Sequence, residues 1–408
     1  MSSTVNKKRK LIFLWTYTNW GGAQLYMLTI MKLAAENWDV VVILPRSTKQ
    51  DVLGFYKPFG IPIDFLKYHF DAREESTVRG KVRRQYQRIR SEIETFRHLR
   101  KYDLKECILH IEIAPWQSWI LLTLLSFRRA NVFTTLNNFR PKAPVWRRLI
   151  WKARFQIVSR LPGFHIFASN KDAKESLKEW LPPGYLKTVG IGYSPIDVGQ
   201  IDQALTSEID LVELRNRHDI DRSSFVVLAV GQFVDRKGRW TFLEAAGRVL
   251  ARVPDVRFVW LMPSTITAED QEKIDSYVLG DRFIPVLSST LGADRNSVLS
   301  FFRIADIFAL PSFIEGLPIA LIEAMALRLP SISTNVYAIP EAILSDRTGI
   351  LIEAGDSEAL AEAILRLKND PALRQRLSSE GSQFVREHFD GRIMAASYLE
   401  AYDRCFED

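Results

Sequence analysis

The sequence predicts an α/β fold with two doubly wound parallel-sheet domains in tandem. Short apolar runs alternate with helical segments along the chain, which is the pattern of parallel βαβ units. The pattern restarts after residues 181–195, a segment rich in Gly, Pro and Tyr. The chain has 408 residues, 47% of them hydrophobic and 25% charged. At about 150 residues per domain, this length fits two or three folded domains.

The first predicted domain covers residues 1–190. A strand at 11–15 leads through a loop with two glycines into a helix at 23–35, where apolar residues recur at helical spacing. The further predicted strands are 40–44, 107–111, 131–135 and 163–168. The apolar run at 116–127 is shorter than the about 20 residues that a membrane span needs, so we expect a buried helix there.

The second predicted domain covers residues 191–390, and a terminal helix follows in residues 391–408. Its strands are predicted at 225–230, 256–262, 307–310, 331–334 and 349–352, and its helices at 239–253, 318–327 and 357–368. In such sheets, ligands bind at the carboxyl ends of the strands, so we expect the functional residues there.

Charge divides the chain into two halves. Residues 1–200 carry 33 Lys and Arg against 16 Asp and Glu, whereas residues 201–408 carry 22 against 32. The basic half is expected to face an anionic partner. Within it, residues 72–105 hold eleven Lys and Arg among apolar side chains, which suits an anionic lipid surface or a solvated helix. No nucleic-acid recognition motif accompanies this charge.

Location and redox chemistry follow from two further features. Cys107 and Cys405 are too few for a disulfide framework, which favours the reducing cytoplasm. The apolar run after the basic start, residues 11–15, is too short for a signal-peptide core. We therefore expect a cytoplasmic protein.

The segment 311–326 carries the strongest functional signal. Pro318 suits a first helical position, because the N–H that it lacks would be unpaired there. The amides at that helix start can hold an anion or a polyhydroxyl ligand. Glu323 is the only charged residue between Pro318 and Leu327. If the helix is buried, this carboxylate needs a partner: ribose hydroxyls, water or a structural Arg.

A second loop suits phosphate binding. Gly231 ends a predicted strand, Gln232 follows it, and the adjacent cations Arg236 and Lys237 precede Gly238. A glycine lets the backbone approach a ligand, and the cations would neutralise a pyrophosphate. A solvated basic turn is the alternative interpretation.

Other cofactor chemistry is not expected. Gly21 and Gly22 enter the first predicted helix, but no complete G-x-G-x-x-G occurs, which disfavours nicotinamide and flavin cofactors. The six histidines show no metal-ligand spacing, and Asp219-Ile220-Asp221 precedes a strand instead of following one. We expect neither a metal nor a cofactor.

Taken in order, these segments resemble the retaining, nucleotide-sugar-dependent glycosyltransferases of family 4. That family has the GT-B fold, in which two Rossmann-like domains face an interdomain cleft. The most specific element is Glu315 followed after seven residues by Glu323, with residues 305–312 before it and residues 339–341 after it. The resemblance is strongest over residues 225–389. It implies a metal-independent hexosyltransferase.

The resemblance implies roles for matching positions. Glu323 would hold ribose hydroxyls, Glu315 would lie beside the transferred sugar, and Lys237 would neutralise the departing pyrophosphate. The terminal helix would pack back on the first domain. The predicted catalytic residues are Glu315, Lys237 and Asn137. The predicted donor-binding residues are Gly21, Gly22, Gly231, Gln232, Arg236, Lys237, Glu315, Gly316, Leu317, Pro318, Ile319 and Glu323.

Three positions depart from the family pattern. Gln232 stands where Arg is usual, and Arg236 is the candidate replacement for the missing charge. Asn137 stands where many members have a His, and an amide can hydrogen-bond but cannot act as a base at neutral pH. Residues 336–338 replace a common glycine pair, and their larger side chains would narrow the space for the acceptor.

The predicted reaction moves a sugar from a nucleoside diphosphate, with UDP-sugars favoured, to a hydroxyl of a polysaccharide or lipid-linked glycan. The predicted partners are the donor, that acceptor and an anionic membrane surface reached through the basic half, but no nucleic acid. Two alternatives stay open. One is a nucleotide-sugar 2-epimerase of the same architecture, and the other is a non-catalytic sugar-nucleotide-binding subunit in which Gln232 and Asn137 have abolished turnover.

Overall fold

The chain forms two compact units. The computed structural model describes residues 8–15, 22–54, 56, 59–68, 77–137, 143–292 and 295–407, without the side chains of residues 22–26 and 51. Unit 1 is Met1–Ser194 with Arg392–Asp408, and unit 2 is Pro195–Gly391. Among the described residues, no helix combines the length and the apolar character required to span a bilayer.

Unit 1 is built on a seven-stranded sheet of order β3-β2-β1-β4-β5-β6-β7, in which every pairing is parallel. Its strands are β1 Lys10–Trp15, β2 Asp39–Pro45, β3 Ile63–Leu66, β4 Cys107–Glu112, β5 Asn131–Leu136, β6 Phe164–Ala168 and β7 Gly190–Ile191. The helices between them are α1 Gly22–Ala34, α2 Gln50–Gly54, α3 Val78–Leu99, α4 Trp119–Phe127, α5 Val145–Val158, α6 Lys171–Ser176 and α7 Pro183–Leu186. The central strands are mostly apolar because helices cover both faces of a parallel sheet.

Unit 2 repeats this plan with a six-stranded parallel sheet of order β10-β9-β8-β11-β12-β13. Its strands are β8 Phe225–Val230, β9 Val256–Met262, β10 Phe283–Leu287, β11 Ile307–Leu310, β12 Ser331–Thr334 and β13 Ile350–Ile352. Its helices are α8 Val198–Thr206, α9 Leu211–Asn216, α10 Arg239–Leu250, α11 Ala268–Asp275, α12 Arg295–Phe301, α13 Ile319–Ala326, α14 Ile339–Ala342, α15 Ser357–Asn369 and α16 Pro371–Phe389. The last helix of the chain is α17 Gly391–Asp403.

The predicted α/β class, with two doubly wound parallel sheets, is confirmed. Three strands were not predicted: β3, β7 and β10. Asp64 interrupts the apolar run of β3, Pro285 interrupts that of β10, and β7 has only two residues. The prediction that α13 begins at Pro318 is wrong by one residue. Pro318 is the N-cap, with an extended ψ of 116°, and the helix begins at Ile319.

Helix α17 is held in unit 1 by a buried polar network. Tyr398 and Tyr402, one helical turn apart, both point into the core. The Tyr402 hydroxyl lies 2.6 Å from His110 Nδ1, and Thr135 Oγ1 lies 3.1 Å from His110 Nε2 and 3.2 Å from the Tyr398 hydroxyl. Tyr398 also donates to the carbonyl of Gly192 at 3.3 Å. The network joins β4, β5 and the residue after β7 to the C-terminal helix.

This network makes the stability of unit 1 depend on pH. Burial lowers the pKa of His110 to about 3, compared with about 6.5 in an unfolded chain. Below about pH 6.5 the unfolded chain therefore binds a proton that the folded chain does not bind. The stabilisation is complete above that pH and falls by up to about 1.4 kcal/mol per pH unit as the pH drops towards 3.

Between about pH 7 and pH 5, the free energy of unfolding of the wild type should fall by about 2 kcal/mol more than that of His110→Gln. The variant lacks the group whose protonation causes this part of the loss. Urea unfolding at the two pH values measures this difference. Replacing the exposed His388 with Gln is the matched control. Parallel pH dependences for the wild type and His110→Gln would contradict the assignment.

Candidate functional site

The candidate site of unit 2 lies where the strand order reverses. Strands β8 and β11 are neighbours in the sheet, although 76 residues separate the end of β8 from the start of β11 on the chain. The loops that follow them, residues 231–238 and 311–318, leave the same carboxyl edge of the sheet. This switch point is the usual ligand-binding position of doubly wound sheets.

The loop after β8 is fixed to the neighbouring strand β9. The N–H of Gly231 donates to the carbonyl of Leu261 at 2.9 Å, and Trp260 Nε1 donates to the carbonyl of Gly231 at 2.9 Å. Gly231 has a φ of +146°, which favours glycine. The backbone therefore enters the loop in a conformation that most side chains would destabilise.

Gly238 brings the two loops into backbone contact. Its φ is +73°, and a Cβ atom there would lie 1.8 Å from the carbonyl oxygen of Pro311. In addition, the N–H of Phe313 donates to the carbonyl of Arg236 at 2.8 Å. Only glycine permits this approach, which places Lys237 beside the loop that follows β11.

Lys237 and Glu315 form a largely buried ion pair. Their side chains are only 11% and 9% exposed. Ser312 Oγ donates to Glu315 Oε1 at 3.2 Å, and Thr334 Oγ1 donates to the carbonyl of Ser312 at 2.6 Å. Each buried charge is compensated by the other, as burial requires. The pair therefore keeps an ammonium group at the switch point.

Arg236 adds a second cation to this cluster. Its Nη2 donates to Gln232 Oε1 at 3.0 Å, and its Nη1 lies 3.9 Å from Glu315 Oε1. The guanidinium is about half exposed. Gln232 supplies no charge, but it orients a residue that does. Together with Lys237 and Glu315, Arg236 gives the cluster two cations and one carboxylate, which suits a negatively charged ligand.

Glu323 has a structural partner. It lies in α13, is 6% exposed and forms an ion pair with Arg295, the first residue of α12. Of the three partners that the sequence left open, the structure contains the Arg. Sequence reasoning did not single out Arg295, and the only available signal was that a buried carboxylate requires a donor.

The start of α13 is the third component of the site. Leu317 and Pro318 are buried, Gly316 is half-buried, and Ile319 is the first helical residue. No side chain caps this helix start in the described part of unit 2. First-turn amides without a side-chain cap are donors for an anion or a hydroxyl group.

The remaining predicted residues belong to unit 1. Asn137 directly follows β5 and is exposed, and Gly22 is the first residue of α1. Gly21 lies outside the described residues. The structure thus brings Gly231, Gln232, Arg236, Lys237 and Glu315 together in unit 2, whereas Asn137 and Gly22 lie at the carboxyl edge of the other sheet.

Metal binding has no support in the described ranges, where no three His, Cys, Asp or Glu side chains are grouped closely enough to hold an ion. Asp221 forms an ion pair with Arg257 at 3.1 Å, and Asp219 has a φ of +54°. Asp219 lies in the turn that follows α9, where its N–H donates to the carbonyl of Asn216 at 3.1 Å.

Comparison with known proteins finds similarity to glycosyltransferases. Residues 212–384 match the family model of Glycosyl transferases group 1. The lipopolysaccharide core biosynthesis glycosyltransferase LpsD of Rhizobium meliloti is 29% identical over 44% of this chain and 50% of its own length. The phosphatidyl-myo-inositol mannosyltransferase of Mycobacterium leprae is 26% identical over 66% of this chain and 73% of its own. The chain spans about half the length of the first curated relatives it matches.

The fold extends over nearly the whole chain in a solved structure. Anabaena Alr3699/HepE in complex with UDP superposes with a TM-score of 0.75 and 15% identity, covering 97% of this chain and 100% of that one. At this identity, the likeness establishes the fold alone. The predicted GT-B architecture is confirmed.

The backbone contact at Gly238 predicts a large mutational effect. Gly238→Ala should destabilise unit 2 by about 3 kcal/mol or more, because the added methyl group meets a carbonyl oxygen and the positive φ is strained. Gly280→Ala is the matched control, since Gly280 has a φ of +55° and a Cβ atom added there would have nothing within 4 Å.

The control should cost only about 1 kcal/mol, the conformational part of the effect. Urea unfolding followed by tryptophan fluorescence measures both variants. Equal losses would show that the contact with Pro311 contributes nothing.

Proposed function

We propose that this chain, whose residues 212–384 match the family model of Glycosyl transferases group 1, transfers a sugar from a nucleoside diphosphate sugar to a hydroxyl acceptor. The observation that carries the proposal is the buried Lys237–Glu315 pair with Arg236 beside it, at the switch point of the unit 2 sheet. A buried ammonium held by one carboxylate and flanked by a guanidinium is suited to a diphosphate.

The donor is proposed to be a UDP-sugar bound in unit 2. Its diphosphate would contact Lys237 and Arg236, and its sugar hydroxyls would accept hydrogen bonds from the backbone N–H groups of Gly316, Leu317 and Ile319 around the start of α13. Gly231 would let the backbone approach the phosphates. The UDP present in the Anabaena structure of the same fold supports the choice of base.

Glu323 is proposed to hold the ribose. A carboxylate accepts hydrogen bonds from two vicinal hydroxyls, and this one is buried in α13 with Arg295 as its partner. The ribose hydroxyls would either share the Glu323 carboxylate with Arg295 or displace Arg295 from it. Arg295 is about one-third exposed, so it has room to move aside.

The reaction is proposed to proceed with retention and without a metal. The bond between the anomeric carbon and the diphosphate oxygen breaks, and the acceptor oxygen bonds to the same face of that carbon. The acceptor proton passes to the departing phosphate. Lys237 stabilises the negative charge that develops on the leaving group. Electrostatic stabilisation of this kind is usually the largest single contribution to lowering the activation free energy. Glu315 would accept a hydrogen bond from the transferred sugar.

The acceptor is proposed to be a lipid-linked or growing glycan. Two of the relatives are named for such reactions: lipopolysaccharide core biosynthesis and phosphatidyl-myo-inositol mannosylation. The net charge of the first half, with 33 Lys and Arg against 16 Asp and Glu, supports an acceptor that carries phosphate or lies at an anionic surface.

Replacing Lys237 tests the proposed chemistry. Lys237→Ala should lower turnover of the UDP-sugar by more than about a hundredfold with the fold intact, because the leaving diphosphate loses its cation. Arg248→Ala, which removes an exposed cation of α10, should leave turnover unchanged. Steady-state transfer assays with circular dichroism measure both properties. Near-normal turnover in Lys237→Ala would remove Lys237 from the mechanism.

Replacing Glu323 tests the ribose contact separately. The wild type should bind UDP more tightly than 2′-deoxy-UDP by about tenfold or more, since a buried carboxylate left without its hydroxyl partner is costly. In Glu323→Ala the two ligands should bind equally. Calorimetry with both nucleotides measures the ratio, and an unchanged preference in the variant would place the ribose elsewhere.

A further inference from the structure

Helix α5 carries two apolar faces. The inner face, Phe155 and Val158 with Trp151, packs into the core of unit 1. The outer face contains Trp146, Leu149, Ile150 and Ile157, which are 60%, 63%, 43% and 57% exposed. With Ala153 these positions follow the i, i+3, i+4, i+7, i+11 spacing of one helix face. An exposed apolar stripe of this size marks an interaction surface.

Cations outnumber anions in and around helix α5. Residues 113–171 contain ten Lys and Arg and no Asp or Glu. Within α5 itself, Arg147, Arg148, Lys152 and Arg154 lie between the two apolar faces. Glu179 lies 3.6 Å from Arg148, and it is exposed. The surface is therefore strongly cationic, and its complement must be anionic.

Helix α3 presents the same combination beyond α4. Val78, Val82 and Tyr86 are 78%, 65% and 65% exposed. Residues 79–90 contain six Lys and Arg and no acidic residue. Helix α4 contacts both α3 and α5. Because the helices of parallel βαβ units run antiparallel to the strands, the N-terminal halves of α3 and α5 lie at the same edge of the sheet.

We infer that this edge of unit 1 docks on an anionic lipid bilayer, with the outer face of α5 as its apolar anchor. Interfacial helices combine Trp and Leu on one face with Lys and Arg on their flanks, as α5 does. Juxtaposed cations add attraction to anionic headgroups. The inference rests on the proposed function, because a lipid-linked acceptor lies at such a surface. A nucleic acid would be attracted by the cations but would not require Leu149 and Ile150.

The test is co-sedimentation of the full chain with phosphatidylcholine vesicles that contain or lack phosphatidylglycerol. The wild type should bind the anionic vesicles only. Trp146→Ser/Leu149→Ser/Ile150→Ser should reduce partitioning by about tenfold or more, because it removes the side chains that enter the interface. All three residues are exposed, so the fold does not depend on them. The matched control, Val212→Ser/Val278→Ser, alters exposed apolar residues of unit 2 and should bind like the wild type.

Quenching by brominated lipids gives the depth of the anchor. Brominated lipids should quench a smaller fraction of the tryptophan fluorescence in Trp146→Phe than in the wild type, because the variant lacks the tryptophan that enters the bilayer. An unchanged fraction would overturn the placement of α5 at the bilayer. Failure of the wild type to bind anionic vesicles, or equal binding by the triple variant, would also overturn it.

Calorimetry with UDP on the same preparations separates this inference from the proposed function. The triple variant should bind UDP like the wild type, since the proposed UDP contacts all belong to unit 2 and the three substituted residues belong to unit 1. Loss of vesicle binding with UDP binding retained supports the docking surface. Vesicle binding without any UDP binding would contradict the proposed donor while leaving the surface supported.

Discussion

The approach of Gly238 to the carbonyl of Pro311 is the constraint on which the candidate site depends. Strands β8 and β11 are adjacent in the sheet but distant in sequence, so something must bring their loops together. The left-handed glycine does this, and the hydrogen bond from Phe313 to Arg236 continues the contact. Lys237 is then placed within reach of Glu315. A backbone contact thus determines the position of a charge.

The electrostatics of unit 2 follow from this placement. The second half of the chain is acidic, yet its switch point holds Lys237, Arg236 and, further along, Arg295. Lys237 and Arg295 are each paired with a buried glutamate, which keeps the cations in place without leaving uncompensated charge. In the proposed function, a nucleoside diphosphate would exchange with these pairs: its phosphates would compete for the cations and its ribose for Glu323. Unit 1 differs, since most of its described Lys and Arg residues are exposed.

Much of this arrangement could be predicted from the sequence. Short runs of buried residues bounded by turns located β8, β9, β11 and β12 to the residue, and β8 and β11 are apolar throughout, as is typical of buried parallel strands. Glycines next to cations, and a lone glutamate in an apolar helix, indicated where the ligand chemistry lies. The pairings could not be predicted. Arg295 is one of many arginines, and its contact with Glu323 depends on how α12 and α13 are placed around α8, which both helices contact. Likewise, the role of Gln232 in orienting Arg236 depends on loop geometry that composition does not encode.

The central claim is that the cations at the switch point exist to hold a diphosphate. Calorimetric titration of the unmodified chain with UDP and with UMP tests it most directly. The account predicts micromolar binding of UDP and at least about tenfold weaker binding of UMP. UMP lacks the second phosphate, and with it the charge-assisted hydrogen bonds that this phosphate would form with Lys237 and Arg236. Equal affinities for UDP and UMP, or no binding of UDP at all, would contradict it.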